Sequence, residues 1–462
     1  MRILLVIYDN ASFTHVFPMG MGAISAVLEK EGYDLEIYNQ DLHHSPDSHL
    51  TEYLDNNEFD VIGLSLIAGY YQYRKLLGLS EAINRSKNRP FYILGGYGPT
   101  PEPEFFIKKT GADVIVQGEG EETVIEILDA LKARTPLSQI DGIAFKDGNK
   151  VTVNKRRAQI ENLSSLPWPA YHKFPMHYYR LLRMPNAGPT DFVIPMMSGR
   201  GCTFKCTFCY RMDTGYRARD PKELLEEVTF LNKEYGLNYF SFQDDLLMTS
   251  VAHTEAVCNA FLDANLGVKW NCNGRLNYCT PDLLKLMKRA GCVFINYGIE
   301  AMDNEVLKNM KKGLRTDMVV KGIEATLEVG ISPGLNMMFG NYGDTRETLK
   351  KAVDFLIKYD DFAQMRTIRP VTPYPGSPLY YDAIEKGLLK DVEDFYENRH
   401  LNSDLISVNF LDMSDDAFYD CLKEANTRLL ENYHKNARER ALSQVEELYS
   451  QRDPSFRGFR QI

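Results

Sequence analysis

Residues 1–145 alternate short apolar runs with amphipathic segments. RILLVIY (2–8), DVIGLSL (60–66) and FYILGG (91–96) are apolar along almost their whole length, and each precedes a stretch with helical periodicity. Continuously apolar strands are typical of a parallel sheet covered by helices on both faces. We therefore predict an α/β, doubly wound, Rossmann-like domain over residues 1–145.

Glycines and polar residues follow several of the predicted strands, in SLIAGYY (65–71), GGYGPTPEPE (95–104) and QGEGEE (117–122). In open α/β sheets, ligands bind outside the carboxyl ends of the strands. The sequence thus predicts a ligand site at that edge of the N-terminal sheet.

A second alternating series begins near residue 191. Six apolar runs alternate with amphipathic segments such as DPKELLEEVTFLNKEYG (220–236), which predicts a partial (β/α) barrel of the TIM type over residues 191–395. Residues 146–190 are rich in proline and polar side chains and are interpreted as a linker. Residues 396–462 are predicted to be a helical C-terminal segment that packs on or caps the barrel.

The composition is that of a globular protein. The 462 residues include 44% hydrophobic and 25% charged side chains, and the formal net charge is −10. An acidic chain lacks the basic face that nucleic acids and membrane surfaces require. No apolar run is long enough to span a bilayer. We therefore expect a cytoplasmic protein that acts on a small-molecule substrate, with no nucleic-acid partner and no membrane span.

The segment GRGCTFKCTFCYR (199–211) contains three cysteines within a stretch of eight residues. Thiolates are soft ligands that suit iron–sulfur clusters and zinc. Cys202, Cys206 and Cys209 can hold three corners of a four-iron cluster and leave one iron open for another molecule. The alternative is a structural zinc site, which needs a fourth ligand. The candidates for that ligand are His172, His177, Cys272 and Cys279.

The cysteine loop resembles that of the radical S-adenosylmethionine (SAM) superfamily, including the aromatic residue before the third cysteine, and the resemblance extends from about residue 192 to 385. It implies that the three cysteines bind a 4Fe-4S cluster whose open iron chelates SAM. The reduced cluster then cleaves SAM into methionine and a 5′-deoxyadenosyl radical, which takes a hydrogen atom from the substrate. Phe208 is expected near the adenine of SAM, bordered by the backbone of Tyr210.

Further SAM contacts follow from the same resemblance. Gln243 and Asp244 end the second strand and are expected to face the methionine portion of SAM, where an acceptor suits an ammonium group. Arg275 is a candidate carboxylate clamp, and Glu300 is a candidate acceptor from the ribose hydroxyls. Two structural alternatives stay open, because Asp244 can cap the next helix and Glu300 can be a salt-bridged carboxylate of the barrel wall.

The order of the two domains resembles the cobalamin-binding subclass of that superfamily. The resemblance implies that the nucleotide tail of cobalamin inserts along the N-terminal sheet and that the corrin faces the barrel. The residues matching the tail-contacting loops are Ser65, Leu66, Gly95, Gly96, Tyr97, Gly98, Gly118 and Glu119. Glycines suit these loops because a bulky ligand has to approach the backbone closely.

One feature departs from many cobalamin proteins, which carry Asp-x-His-x-x-Gly after the first strand. Here that loop is YDNASFTHVFPMG (8–20), and DLHHSPD (41–47) does not supply the pattern either. His15 is the candidate cobalt ligand in the first loop. The mismatch instead predicts cobalamin without a histidine lower ligand. The alternative is a degenerate domain that binds no cobalamin and only shapes the site.

These resemblances imply a cobalamin-dependent radical SAM methyltransferase that acts on an unactivated carbon. The alternatives are a cobalamin-dependent radical SAM enzyme that cyclises, contracts or otherwise oxidatively rearranges its substrate without methyl transfer, and a non-catalytic iron–sulfur or zinc scaffold. An electron donor such as flavodoxin or ferredoxin is the expected protein partner. The aromatic linker residues Trp168, Tyr171, Tyr178 and Tyr179 are candidates to stack on the substrate, although core packing is the more common fate of such side chains.

Overall fold

The computed structural model describes residues 1–11, 16–212 and 214–452. Within these ranges the N-terminal sheet has seven strands: β1 Arg2–Ile7, β2 Asp34–Asn39, β3 Val61–Ser65, β4 Phe91–Gly95, β5 Val114–Val116, β6 Ile143–Asp147 and β7 Lys150–Val153. Their order is β2-β1-β3-β4-β5-β6-β7. The first five are parallel, which confirms the doubly wound fold.

The last two strands add a feature that the sequence pattern did not predict. β6 runs antiparallel to β5, and β7 pairs back onto β6 as a hairpin. Gly148 takes the turn with φ of 58°, a conformation that favours glycine. The sheet consequently extends to Val153, beyond the position at which the apolar pattern suggested its end.

Helices cover both faces of this sheet: α1 Met19–Lys30, α2 Gln40–His43, α3 Asp47–Asn56, α4 Tyr70–Arg85, α5 Pro103–Thr110 and α6 Glu121–Ala133. Alternate residues of β1 point to opposite faces, so Leu5 packs in the core with α1 and α6, whereas Leu4 packs with α3, α4 and α5. A short helix, α7 Met176–Tyr179, lies in the linker.

The second sheet is a curled half-barrel. In the described part of the chain its order is β15-β14-β13-β12-β11-β8, and all neighbours are parallel. Its strands are β8 Val193–Met196, β11 Tyr239–Phe242, β12 Lys269–Gly274, β13 Cys292–Glu300, β14 Ser332–Phe339 and β15 Arg369–Pro370. The helices around and after it are α8 Pro221–Tyr235, α9 Val251–Ala264, α10 Pro281–Arg289, α11 Asn304–Asn309, α12 Thr316–Glu328, α13 Arg346–Lys358, α14 Pro378–Glu385 and α15 Val392–Asp394. The predicted partial TIM-type barrel is confirmed.

A separate antiparallel hairpin interrupts the strand–helix alternation. It consists of β9 Gly199–Cys202 and β10 Gly215–Ala218. Gly201, at φ of 86°, allows the strands to approach, because a Cβ there would lie 2.4 Å from the Gly215 carbonyl oxygen. The sequence pattern predicted one strand followed by a loop, so this hairpin is new.

The C-terminal part of the chain packs against both domains. The helix α16 Asp415–Gln451 begins later than residue 396 and buries Phe418 against Phe339 of β14, with ring centroids 4.8 Å apart. The preceding residues 371–410 are mostly irregular and pack Tyr380, Phe395 and other apolar side chains onto the face of the N-terminal sheet that carries α4. Among the described residues no helix has the length and apolarity needed to cross a membrane.

Candidate functional site

The three clustered cysteines lie on the hairpin β9–β10. Cys202 ends β9 and pairs with Gly215, and the loop that follows carries the other two cysteines. The backbone of Thr207 fixes that loop on two sides, because it donates to the Met310 carbonyl at 3.0 Å and accepts from the Leu379 amide at 2.9 Å. The loop is therefore held between α11 and α14.

All three thiols are free, and they differ in exposure. Cys206 is buried, Cys202 is half-buried and Cys209 is accessible to solvent. Protein nevertheless surrounds the Cys209 thiol, and this desolvation raises its pKa to about 12. Burial also raises the pKa of the Cys202 thiol. Iron binds thiolates, so metal binding here displaces the protons of these thiols.

The donor set fits an iron–sulfur cluster better than one zinc ion. Over the described ranges, no three His, Cys, Asp or Glu side chains converge as ligands of a single ion. Three of the four candidates for a fourth zinc ligand are engaged or buried elsewhere. His172 contacts Glu29 at 3.0 Å, Cys279 contacts the Tyr297 hydroxyl at 3.1 Å, and Cys272 is fully buried in β12.

Arg275, the predicted carboxylate clamp, contacts the cysteine loop. The Arg275 guanidinium stacks on the Phe204 ring, 3.3 Å from its centroid. Its Nη1 lies 4.0 Å from the Cys206 sulfur, and its Nη2 donates to the Lys312 carbonyl oxygen. With these contacts Arg275 positions Cys206 and supplies positive charge beside a future thiolate.

Glu300 and Lys312 form an ion pair at the end of β13. The Lys312 Nζ lies 2.8 Å from Glu300 Oε1, and both side chains are less than 10% exposed. Glu300 has φ of 75°, in the left-handed region, directly after a register shift in the strand. The same ammonium lies 5.5 Å from the centroid of the Phe208 ring. The salt-bridged alternative for Glu300 therefore describes its geometry, and Lys312 joins the set around the cysteine loop.

Two adjacent carboxylates in the loop after β11, Asp244 and Asp245, lie in different environments. Asp244 is fully buried and accepts from the Ser198 amide at 2.6 Å and from the Ser198 hydroxyl. Burial raises its pKa to about 6. Asp244 thus anchors the start of the cysteine hairpin. The helix-cap alternative is wrong, since Ser250 caps α9, and the SAM contact of Asp244 stays a prediction. Asp245 is exposed and close enough for its charge to act on Cys202.

Gln243 belongs to the inner wall of the half-barrel. Its side chain is exposed, and its Nε2 donates to the Ser241 hydroxyl at 2.6 Å. Gln243 therefore faces the barrel interior, as expected for a residue that contacts a small molecule.

The carboxyl edge of the N-terminal sheet forms an open cradle. Ser65 and Gly95 end β3 and β4, and the side chains of Ile67 and Tyr97 stand 65% and 38% exposed beside them. A Cβ on Gly95 would meet only Val116, at 3.8 Å. An apolar, solvent-facing platform with unobstructed backbone fits a large planar ligand such as a corrin.

Two glycines of this cradle pack closely against Leu66. Gly96 has φ of 100°, and a Cβ there would lie 2.3 Å from the Leu66 carbonyl oxygen. Gly98 donates its amide to that same oxygen at 3.2 Å, and its own Cβ would press on the Leu66 side chain at 3.1 Å. Gly96 and Gly98 are therefore needed for packing against Leu66, which is itself buried.

The loop after β5 connects the two domains. Gly118, with φ of 97°, leaves its Cβ position open except for Arg156 at 3.9 Å. Glu119 contacts Arg200 at 2.7 Å and Arg217 at 2.9 Å, and its side chain is 6% exposed. Burial opposes its ionisation, but the hydrogen bonds from Arg217 and Arg200 hold the pKa of Glu119 below its usual value. Glu119 thus links this loop to the cysteine hairpin, and its cobalamin contact stays a prediction.

The two predicted ligand edges meet at one place. Tyr97, on the loop after β4, packs edge-to-face on Tyr210 of the cysteine loop, with centroids 6.0 Å apart. Gly376 lies against the other side of Tyr210, where a Cβ would approach the ring to 2.5 Å. The cradle and the cysteine loop are consequently in direct contact.

The aromatic linker residues are used mainly for packing. Tyr171 and Tyr179 are 3% and 0% exposed, and Trp168 donates its indole N–H to a carboxylate on α8. Tyr178, at the margin, donates to a backbone carbonyl of α2 at 3.1 Å. This is the core-packing alternative. The candidate ligand His15 lies outside the described residues.

The sequence reasoning missed Lys312 and Asp245 as neighbours of the cysteines, and Arg200 and Arg217 as links to the other domain. Asp245 directly follows the two strand-end residues that were chosen, and Arg200 lies within the quoted cysteine segment. The signal for Lys312 is weaker, because MKKG (310–313) resembles an ordinary helix end.

Each of the two domains matches a known protein family. Residues 196–356 match the radical SAM superfamily, and residues 7–128 match the B12 binding domain. An uncharacterized methyltransferase of Pyrococcus horikoshii is 27% identical over 84% of this chain and 84% of its own length. The cytidylyl-2-hydroxyethylphosphonate methyltransferase of Streptomyces wedmorensis is 25% identical over 86% of this chain and 84% of its own length.

A solved structure shows the same fold. The radical SAM methyltransferase TsrM of Kitasatospora setae, with cobalamin and a [4Fe-4S] cluster bound, superposes with a TM-score of 0.67 at 17% identity. The match covers 83% of this chain and 75% of TsrM. The two family matches imply a 4Fe-4S cluster, SAM and cobalamin as cofactors. The chain thus carries a B12 binding domain, matched over residues 7–128, in front of a radical SAM domain, matched over residues 196–356.

Proposed function

We propose that this protein is a cobalamin-dependent radical SAM methyltransferase that acts on an unactivated carbon of a small molecule. The observation that carries the proposal is the contact of Tyr97 with Tyr210, which brings the B12-binding edge and the cysteine loop to one cleft. Methyl transfer of this kind needs both cofactors within reach of one substrate. The names of the two relatives, both methyltransferases, support the same reaction.

The residues divide the work as follows. Cys202, Cys206 and Cys209 would hold three irons of the cluster, with Arg275 positioned behind Cys206. The cradle around Ser65, Gly95 and Gly118 would hold cobalamin. When bound, these groups supply one-electron chemistry and a methyl carrier.

Other residues of the chain position the cofactors and enclose the site. Lys312 neutralises Glu300 beside the cysteine loop, so neither charge is left uncompensated in a buried place. Gln243 and Asp245, exposed at the end of β11, are the proposed neighbours of the methionine portion of SAM. The contacts of Glu119 with Arg200 and Arg217 keep the two domains in register and close one side of the cleft.

Anaerobic reconstitution with iron, sulfide, cobalamin, SAM and a low-potential reductant tests the proposal. We expect both S-adenosylhomocysteine and 5′-deoxyadenosine, measured by mass spectrometry. Omission of cobalamin should abolish only S-adenosylhomocysteine, whereas Cys206→Ala should abolish 5′-deoxyadenosine. Formation of 5′-deoxyadenosine alone, with cobalamin present, would favour a cyclase or rearrangement enzyme. Formation of neither product would indicate a scaffold.

A further inference from the structure

The inner wall of the half-barrel carries a row of amide side chains on three neighbouring strands. Asn336 of β14 donates to Asn296 Oδ1 at 2.8 Å, and Asn296 of β13 donates to Asn273 Oδ1 at 3.0 Å. Asn273 of β12 donates in turn to the main-chain oxygen of Asp244 at 2.8 Å. We call Asn273, Asn296 and Asn336 the amide ladder.

A second set of polar side chains lies beside the ladder. Ser241 donates to Asn271 Oδ1 at 2.9 Å, and Asn271 donates to the Tyr239 hydroxyl at 3.1 Å. Gln243 donates to Ser241. The wall therefore presents uncharged donors and acceptors on four adjacent strands, β11 to β14.

The ladder leaves hydrogen-bonding capacity unused. A carboxamide has two N–H donors and two acceptor sites. Asn273 and Asn296 each use one donor and one acceptor site along the ladder. The Asn336 oxygen receives no hydrogen bond from any residue of the described ranges, and its side chain is exposed. Each rung can thus still offer a donor or an acceptor to a molecule in the barrel.

A cavity of about 230 Å³ opens onto this wall. Its lining consists of Met184, Pro185, Phe242, Gln243, Asn271, Asn273, Phe294, Asn296 and Gln364. None of these side chains ionises. The Phe294 ring and the Met184 side chain supply apolar surface next to the amides.

Two basic side chains near the cysteine loop are already engaged. Arg275 is held by the cysteine loop and the Lys312 carbonyl, and the Lys312 ammonium pairs with Glu300. Because no cationic side chain of the described residues lines the cavity, an anion entering it would lose hydration without gaining a counter-charge from the lining, whereas a neutral amide edge would exchange water for matched hydrogen bonds.

We propose that the amide ladder is the recognition surface of the substrate site and that it selects an uncharged substrate group with adjacent N–H and C=O functions, such as a carboxamide or lactam on a planar or apolar body. This inference rests on the proposed function, since it assigns the substrate class of that enzyme. It predicts that carboxylate-bearing and phosphorylated analogues of such a body are rejected.

Three molecules of nearly equal shape test the proposal: benzamide, benzoate and benzamidine, which are neutral, anionic and cationic. Ligand-observed NMR on the reconstituted full-length protein with SAM bound should show benzamide binding at least about tenfold tighter than benzoate. Asn296→Asp should shift the preference from benzamide to benzamidine, because the rung becomes an acceptor with negative charge. Asn56→Asp, the same exchange on the surface of α3, should leave the order unchanged.

A second variant distinguishes loss of the polar side chain from a general disturbance of the fold. Asn296→Leu removes the polar rung and should weaken benzamide binding by about tenfold, while thermal unfolding and SAM affinity stay close to those of the unaltered protein. Equal binding of benzamide and benzoate, or an unchanged preference in Asn296→Asp, would overturn the inference. A fall in SAM affinity in both Asn296 variants would also overturn it, because the ladder would then belong to the SAM site.

SAM turnover on the same samples separates this inference from the proposed function. Formation of S-adenosylhomocysteine and 5′-deoxyadenosine without selective benzamide binding defeats the inference alone. Selective benzamide binding without either product defeats the proposed methyl transfer and leaves the assignment of an amide-selective cavity in place.

Discussion

Arg200 of the cysteine hairpin bridges to Glu119 at the carboxyl edge of the other sheet, with Nη1 and Oε1 2.7 Å apart. Its Nη2 also contacts Glu121, at the start of α6. Because Arg200 lies two residues before the first clustered cysteine, the loop that holds the cysteines is fixed directly to the B12-binding domain. The relative placement of the two sites is therefore set by charged side chains as well as by the apolar core.

Removal of this bridge should destabilise the protein strongly. Arg200→Met leaves Glu121 without its partner at this contact and deprives Glu119 of one of two, and loss of one member of a buried pair costs about 3 kcal/mol of the free energy of unfolding. Urea unfolding of the unloaded chain, followed by fluorescence, measures the loss. Arg315→Met is the matched control, because its pair with Asp317 is solvent-exposed and should contribute little to stability. Equal losses in the two variants would contradict the bridge.

Asp244 predicts a pH dependence of stability with a defined sign. Burial raises its pKa from 3.8 in the unfolded chain to about 6 in the folded one, so the folded state binds an extra proton between these values. Stability must then fall as pH rises from about 4 to 6. Since Asn does not titrate, the stability of the unaltered protein relative to Asp244→Asn should drop by about 2 kcal/mol between pH 4 and 7.

Urea titrations at several pH values on both proteins give that difference. Asp317→Asn serves as control, because this exposed carboxylate has its pKa lowered by the hydrogen bond from Arg315, which gives the opposite sign. A flat difference for Asp244→Asn would show that the buried carboxylate is ionised throughout the range.

The sequence predicted what local spacing determines. The strand–helix alternation defined both domains, and the three cysteines were found because a single loop carries all of them. Glu119 and Asp244 were assigned to ligands because each follows a strand, where ligands bind. Their actual partners, Arg200 and Ser198, are 81 and 46 residues away in the chain. Such pairings depend on how two sheets dock, which periodicity does not encode.

The cysteine loop predicts the metal content of the protein. Cys206→Ala removes one of three thiolates from a site that has no spare ligand on the loop. The amount of iron bound after anaerobic reconstitution should therefore fall severalfold, and the visible absorbance of the cluster should be lost. The protein with Cys258→Ala, a change at a fully buried thiol of α9, should retain its iron. Equal iron content in both variants would mean that the metal is held elsewhere.

Arg275 predicts a shift in the cluster's reduction potential. The guanidinium lies 4.0 Å from the Cys206 sulfur and flat on Phe204, and positive charge beside a thiolate ligand favours the reduced, more negative state. Arg275→Met should therefore lower the midpoint potential, on the order of tens of millivolts. Arg275→Lys should have a smaller effect, because the charge remains while the planar stacking and the forked hydrogen bonds are lost. Redox titration followed by electron paramagnetic resonance measures both shifts. A potential that rises, or that moves equally in the two variants, would show that Arg275 acts through loop packing rather than through charge.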